Sequence, residues 1–326
     1  MSKTMAIRIY ENGGPEVMRY EEVAVGDPGP GEIRVKHTAI GVNYIDTYFR
    51  SGLYPAPSIP FTPGNEGAGV VTAVGEGVTR FKEGDRVAYA ATLGSYAEER
   101  LLEADKVVAT PDGVDDETAA AMMLKGMTAQ YLLRRTYRVK KGDTILFHAA
   151  AGGVGLIACQ WARHLGATVI GTVGSREKGE LAMKNGCDHV IYYRDEDFAK
   201  RVDEITRGER CHVVYDGVGK ATFPASLDCL RPFGMFASFG NASGAVEAFN
   251  LGILGQKGSL YATRPTLFTH IAKRADLEEV AGELFDVVAS GAVKIPVHHR
   301  AKLADAVDVH KALEGRETTG ATVMSP

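Results

Sequence analysis

The chain has 326 residues, 45% hydrophobic and 24% charged, and a net charge of −4 from 37 Lys plus Arg against 41 Asp plus Glu. That length predicts two domains with ample core, and the acidic balance argues against nucleic acid as the main partner. No apolar run is long enough to cross a bilayer, Met1 to Arg8 lacks the apolar core of a signal peptide, and the scattered Cys159, Cys187, Cys211 and Cys229 read as free thiols of a cytoplasmic protein.

The first third of the chain is β-rich. Segments 6–10, 33–37, 69–74, 86–89 and 96–101 read as strands, separated by glycine and proline turns such as Gly13-Gly14-Pro15 and Gly29-Pro30-Gly31. At Asp115-Asp116-Glu117-Thr118 acidic residues open a helix rich in Ala and Met. Beyond Thr128, strands are expected at 144–149, 168–173, 189–192, 212–216, 235–240 and 259–263, with helical segments between most of them. This alternation predicts an α/β fold with a doubly wound parallel sheet. A helix near 276–290, a short helix at 304–313 and an apolar run at 321–324 follow, and this tail is expected to return to the first domain.

The strand Thr144-Ile145-Leu146-Phe147 runs into His148-Ala149-Ala150-Ala151-Gly152-Gly153-Val154-Gly155. Val154, Ile157, Ala158, Trp161 and Leu165 then recur at helical spacing until Gly166. Strand, glycine turn and helix N-terminus make a pyrophosphate site: the backbone approaches the phosphates and the first helical N–H groups face the charge. Gly152 and Gly155 fill the second and third places of G-x-G-x-x-G, and Ala150 stands in the first. Plain strand-to-helix connections also produce such matches; the flanking strand and helix favour a dinucleotide on Gly152, Gly153, Val154 and Gly155.

The next strand ends at Gly174-Ser175-Arg176-Glu177-Lys178, where an NAD-binding unit carries Asp or Glu for the ribose 2′-hydroxyl. A carboxylate there repels a 2′-phosphate, whereas a gap, a hydroxyl and cations hold one. NADPH is therefore expected over NADH, with Gly174, Ser175 and Lys178 at the phosphate and Arg176 a weaker candidate. Ser175 equally fits a helix N-cap and can do both jobs. Arg176 and Lys178 equally fit a solvated helix face. Glu177 is the dissenting charge, and its place in the turn allows it to point away.

The ordered motifs Gly13-Gly14-Pro15-Glu16-Val17, Asn43-Tyr44-Ile45-Asp46-Thr47-Tyr48, Arg50-Ser51-Gly52-Leu53-Tyr54-Pro55, Pro63-Gly64-Asn65-Glu66-Gly67-Ala68-Gly69, Gly84-Asp85-Arg86-Val87, Leu124-Lys125-Gly126-Met127-Thr128-Ala129 and Tyr215-Asp216-Gly217-Val218-Gly219, with the glycine turn, span nearly the whole chain. Together they resemble the medium-chain dehydrogenase/reductase superfamily, and within it the zinc-free, zeta-crystallin-like quinone oxidoreductases. The resemblance implies a GroES-like β-rich catalytic domain, 1–126 and 265–326, and a Rossmann NADPH-binding domain, 127–264, in a homodimer joined through the Rossmann sheets. Zinc alcohol dehydrogenases of that superfamily place a cysteine ligand where this chain has Asn43 and a histidine where it has Asn65. The cysteine-rich lobe for a structural zinc has no counterpart. Asn is a poor zinc ligand beside thiolate and imidazole, and Glu66 alone makes no zinc site, so a metal-free reductase is expected.

Without a Lewis acid the hydride acceptor must already be electrophilic, as quinones, enones and enals are. The resemblance makes Asn43, Tyr48 and Tyr54 the catalytic candidates. Asn43 fits the nicotinamide ribose or a substrate carbonyl, and the tyrosines offer rings to stack on a planar acceptor and hydroxyls to bind its oxygens. Both tyrosines equally fit a packed domain edge. Asp46 reads as an acid or base, or more simply as a residue that orders its loop. The resemblance also places Lys125 near the cofactor and Tyr193 over the adenosine phosphate. Gly217 and Val218 after the fourth strand, and Asn241 and Arg264 at the carboxyl ends of later strands, complete the cofactor set; Arg264 equally suits a salt bridge or a backbone carbonyl. His148, ending a buried strand, reads as a structural histidine. NADPH-dependent reduction of a small quinone is the leading function. Reduction of α,β-unsaturated aldehydes and ketones is the alternative on the same scaffold. A cofactor-modulated RNA-binding or structural protein is a third, without support from the charge balance.

Overall fold

Apolar alternation in the first third closes into antiparallel sheet in the computed structural model, which describes residues 2–91 and 93–326. Strand β1 (Ser2–Ile9) pairs with β2 (Met18–Val25). Strand β3 (Glu32–Val42) is followed by helix α1 (Tyr44–Ser51), and then by β4 (Glu66–Val74), β5 (Arg86–Ala90), β6 (Glu99–Glu103) and β7 (Val108–Ala109). Helix α2 (Asp116–Gln130) runs on into a π-helical turn, Tyr131–Thr136.

The alternating region follows as β8 (Thr144–Phe147), α3 (Gly153–His164), β9 (Thr168–Val173), α4 (Arg176–Lys184), β10 (His189–Tyr192), α5 (Phe198–Thr206), β11 (Cys211–Asp216), β12 (Leu230–Ser238), α6 (Gly252–Gln256), β13 (Tyr261–Thr263) and α7 (Leu267–His270). Among the described residues its sheet has the order β10-β9-β8-β11-β12-β13, and every pairing is parallel. Leu146, Ile170, Ile191, Val214 and Phe236 fill one side of that sheet's core. The order reverses between β8 and β11, the place where doubly wound sheets bind ligands. Helix α8 (Arg274–Ala289), β14 (Val297–Lys302), α9 (Ala306–Glu314) and β15 (Ala321–Ser325) end the chain. The tail rejoins the antiparallel sheet: β15 pairs with β3 and, in parallel, with β14.

Compactness divides the chain into Met1–Lys125, Ile271–Phe285 and Ile295–Pro326 as one unit, and Gly126–His270 with Asp286–Lys294 as the other. Three strands lack a signal in the sequence. Strand β2 alternates exposed and half-buried residues, β14 is polar (His298, His299, Arg300, Lys302), and β7 has two residues. The expected strand at 96–101 starts at Glu99, because Tyr96 is drawn into the interior, where its N–H bonds Pro63 and its carbonyl bonds Ile7.

Ala150 in a glycine place of the phosphate turn is accommodated by its neighbour on β9. It is fully buried, and a Cβ on Gly171 would lie 2.6 Å from the Ala150 Cβ and 2.7 Å from Cys187 Sγ. Gly155 is needed for the helix to approach the strand, since a Cβ there would meet the Ala149 carbonyl oxygen at 2.5 Å. Overpacking of this kind costs about 1–3 kcal/mol. Gly171→Ala is therefore expected to lower the unfolding free energy from denaturant titration by that amount, while Gly113→Ala, open to space, leaves it nearly unchanged.

Candidate functional site

The second unit brings the expected nucleotide residues to the carboxyl ends of its strands. Gly152 caps α3, and Gly153, Val154 and Gly155 form its first turn, directly after β8. Strand β9 ends at Val173, so Gly174 and Ser175 lie at the next strand end, where Ser175 Oγ caps α4 by accepting from the Lys178 N–H at 3.3 Å. Tyr193 follows β10 and is 42% exposed; its hydroxyl lies 2.7 Å from where a Gly174 Cβ would be. Gly174, Ser175, Tyr193 and the backbone of Lys178 thus share one corner. Arg176 is turned onto the Tyr192 ring, 4.2 Å from its centre. The neighbouring Ser175 hydroxyl is the first cause holding the Glu177 carboxyl below its ordinary pKa.

The loops after β11 and β12 are stitched together. Ala242 N–H donates to the Gly217 carbonyl at 3.2 Å and Ser243 N–H to that of Val218 at 2.8 Å, so Asn241 lies beside the Gly217-Val218 turn. Asp216 holds the turn, accepting from the N–H groups of Val218 at 2.7 Å and Gly219 at 2.9 Å. Ser226 links Asp216 to His148, whose other ring nitrogen meets Thr172 at 2.9 Å. With both nitrogens engaged and burial lowering its pKa, His148 is a structural residue. Arg264 follows β13, and its guanidinium donates to the Pro265 carbonyl at 3.4 Å.

In the first unit, Asn43 sits just before α1 and Tyr48 within it. The Tyr48 ring packs edge-on against Tyr54 at 5.1 Å and Tyr44 at 5.7 Å, and Gly52, at φ 82°, ends the helix. Glu66, fully buried at the start of β4, is the hub. Its carboxylate accepts from Asn43 Nδ2 at 2.7 Å, Lys125 Nζ at 2.9 Å and the Leu124 N–H at 2.8 Å. Asn43 and Lys125 are therefore neighbours through Glu66, although 82 positions of sequence separate them.

Residues 29–143 match the family described as "Alcohol dehydrogenase GroES-like domain", and residues 153–284 that described as "Zinc-binding dehydrogenase". The chain is 55% identical to a quinone oxidoreductase of Pseudomonas aeruginosa, with 100% of both chains covered. It is 48% identical to a 2-haloacrylate reductase of a Burkholderia species, over 99% of each. A crystal structure of Escherichia coli quinone oxidoreductase complexed with NADPH superposes with a TM-score of 0.97 at 51% identity, covering 99% of this chain and 100% of that one. The chain belongs to the quinone oxidoreductase family of the medium-chain dehydrogenases/reductases.

Two features of this quinone oxidoreductase family member go beyond the reading of the sequence. Arg194 stands beside Tyr193, its Nε 3.4 Å from a Gly174 Cβ position, and adds a cation to that corner; a basic residue directly after the aromatic one was the available signal. The other is a buried polar chain behind α1. Asp46 Oδ2 accepts from the Asn43 N–H at 2.9 Å and the Tyr96 hydroxyl at 3.0 Å. The Tyr96 hydroxyl meets His310 Nε2 at 3.0 Å, and Arg50 bonds His310 Nδ1 at 2.9 Å and Glu314 at 2.8 Å. Arg50 can only donate, so Nδ1 is the acceptor and the ring proton is on Nε2. The chain then runs one way, from His310 through Tyr96 to Asp46. Burial, then the Arg50 charge, pushes His310 down to about 3.

Burial pushes the Asp46 carboxyl from 3.8 up to about 7, against the lowering effect of the Asn43 and Tyr96 bonds. Between these values the folded chain binds a proton that the unfolded chain has lost. Stability from Asp46 is therefore full below pH 4 and falls as pH rises to about 7, by on the order of 4 kcal/mol. Asp46→Asn removes this dependence. Denaturant midpoints measured from pH 4 to pH 8 are expected to shift progressively in favour of the variant as pH rises; parallel curves would show that Asp46 stays ionised in the folded state.

Proposed function

We propose that this chain reduces quinones with a hydride from NADPH, without a metal ion. The observation that carries the reading is the β9 corner: no carboxylate ends the strand, Gly174, Ser175, Tyr193 and Arg194 stand there in its place, and Lys178 lies in the first turn of the helix that follows. A hydroxyl, a phenol and cations match a 2′-phosphate. The relatives named as quinone oxidoreductases and the neighbour solved with NADPH support it.

When bound, the reduced nicotinamide supplies the hydride. The chain's residues bind and orient. The N–H groups of Gly153, Val154 and Gly155, in the first turn of α3, would hold the pyrophosphate. Gly217, Val218, Asn241 and Arg264 lie at the adjoining strand ends of the second unit; in the first unit Asn43, beside Lys125 through Glu66, is the candidate for the nicotinamide ribose. Tyr48, buried and edge-on against Tyr54, is with Tyr54 the candidate to bind a planar acceptor through ring and hydroxyl.

A zinc ion does not fit the residues around Glu66. Asn43 turns its amide nitrogen, a donor, to Glu66, and Asn65 does the same to the Ala91 carbonyl at 2.9 Å. The Lys125 ammonium already neutralises the carboxylate. The acceptor must therefore be electron-poor by itself. The 2-haloacrylate reductase among the relatives favours activated alkenes as the second substrate class.

A homodimer through the second unit agrees with β13, which among the described residues pairs on one side only, with β12. Tyr261 on it is 59% exposed, and Phe233 on β12 is 70% exposed. Four buried free thiols agree with a reducing cytoplasm, and no helix among the described residues is long and apolar enough to cross a membrane.

Steady-state assays with NADPH are expected to show turnover of 1,4-benzoquinone and 1,4-naphthoquinone well above that of alkenals. Quinone rates equal to those without enzyme, beside rapid alkenal turnover, would reverse the order of the two readings. For the cofactor, Lys178→Ala is expected to weaken NADPH by about tenfold or more with NADH little changed, as for a charged phosphate contact. Glu177→Gln is expected to tighten NADPH about two- to fivefold, the scale of an exposed charge. Fluorescence titration with both cofactors measures each effect, and equal changes for NADPH and NADH would remove these residues from the phosphate site.

A further inference from the structure

The Glu66–Lys125 pair is costly as a stabilising device. Two charges taken out of water seldom stabilise a fold more than an apolar pair of the same volume would. Glu66 is fully buried and Lys125 is 5% exposed, so both carry that cost, and Lys125 keeps a small opening to the surroundings. The carboxylate is well satisfied by its three donors. The ammonium is not: it has three N–H donors, and among the described residues Glu66 takes one. A fixed, nearly dry cation with unspent donors, one carboxylate away from Asn43 and hence from the start of the helix that carries Tyr48, is arranged to meet an oxygen that gains negative charge.

We propose that Lys125 is a catalytic residue whose ammonium donates to the carbonyl oxygen of the acceptor and stabilises the charge that gathers there, with Glu66 as the residue that positions it. This rests on the quinone-reductase reading above. The quinone gains a hydride, with its two electrons, and becomes the hydroquinone monoanion; water then supplies the proton that completes the hydroquinone. Lys125 keeps its own proton throughout. It provides at one oxygen the positive charge that a metal would provide, without needing an open coordination position.

Two measurements on Lys125→Met test this. The first separates turnover from binding. With 1,4-benzoquinone, kcat is expected to fall about 100-fold, the scale for a lost oxyanion donor, while the NADPH dissociation constant moves by less than about threefold; Lys125→Arg recovers part of kcat. The second does not use turnover. 4-Nitrophenol bound to the NADP⁺ complex, titrated by its absorbance, is expected to ionise at lower pH in the parent than in Lys125→Met, by about one unit or more. Because Lys125→Met leaves Glu66 buried without its cation, the double variant Glu66→Gln/Lys125→Met serves as the neutral pair and is expected to fold and to show the same two losses. Unchanged kcat, weakened NADPH binding with kcat retained, or the same phenol pKa in parent and variants would each overturn the proposal. A parent inactive toward quinones but with the phenol shift present would instead overturn the quinone reading and leave the oxyanion role of Lys125 supported.

Discussion

One buried carboxylate ties the first unit together at its chemical end. Glu66 starts β4, has no contact with water, and must find donors for both oxygens. It takes a side-chain amide from the start of α1, a backbone N–H from α2 and an ammonium from the next residue of α2. Three segments of the unit are thereby fixed to one point. The sheet itself makes room: a side chain on Gly41 of β3 would come within 2.1 Å of the Ala120 carbonyl oxygen and 2.5 Å of Glu66 Oε2.

A second buried carboxylate lies close by in the same unit and has the opposite fate. Asp46 meets no cation in direct contact; its donors are the neutral Asn43 N–H and Tyr96 hydroxyl. Burial therefore dominates and favours the protonated acid. Arg50, the cation that would have offset it, is spent on His310 and Glu314 of α9. That arrangement anchors α1 to α9 and sets the direction of the hydrogen-bond chain. The helix bearing Tyr48 is thus held at both ends, by Asn43 through Glu66 and by Arg50 through α9.

The second unit solves a different problem, the close approach of backbone to a phosphate-rich ligand. Its turns need small residues above and firm anchoring below. Gly155 and Gly171 supply the space, and Asp216 supplies the anchoring through the N–H groups of Val218 and Gly219. His148 and Ser226 connect that anchor to β9, so the loops at the switch point share one buried polar network. Its histidine is buried and doubly bonded, which suits scaffolding and not proton transfer.

Local pattern determined most of the second unit. Strand β9 has the bounds read from its apolar run, since a strand buried in a parallel sheet is marked by continuous hydrophobicity that its own sequence carries. The phosphate turn and the missing acidic residue after β9 were legible for the same reason: each is a matter of a few adjacent residues. Strands β2 and β14 were not, because a half-solvated strand is defined by its partner and not by its own composition. The Glu66–Lys125 and Tyr96–His310 contacts lay further out of reach. They join residues 59 and 214 positions apart, and a buried charge or hydroxyl chooses its partner only once the chain has folded and water has been excluded. The sequence by itself thus determined the fold class and the residue types of the cofactor corner. Tertiary structure alone decided which charges are paired and which carboxyl is pushed toward its acid form.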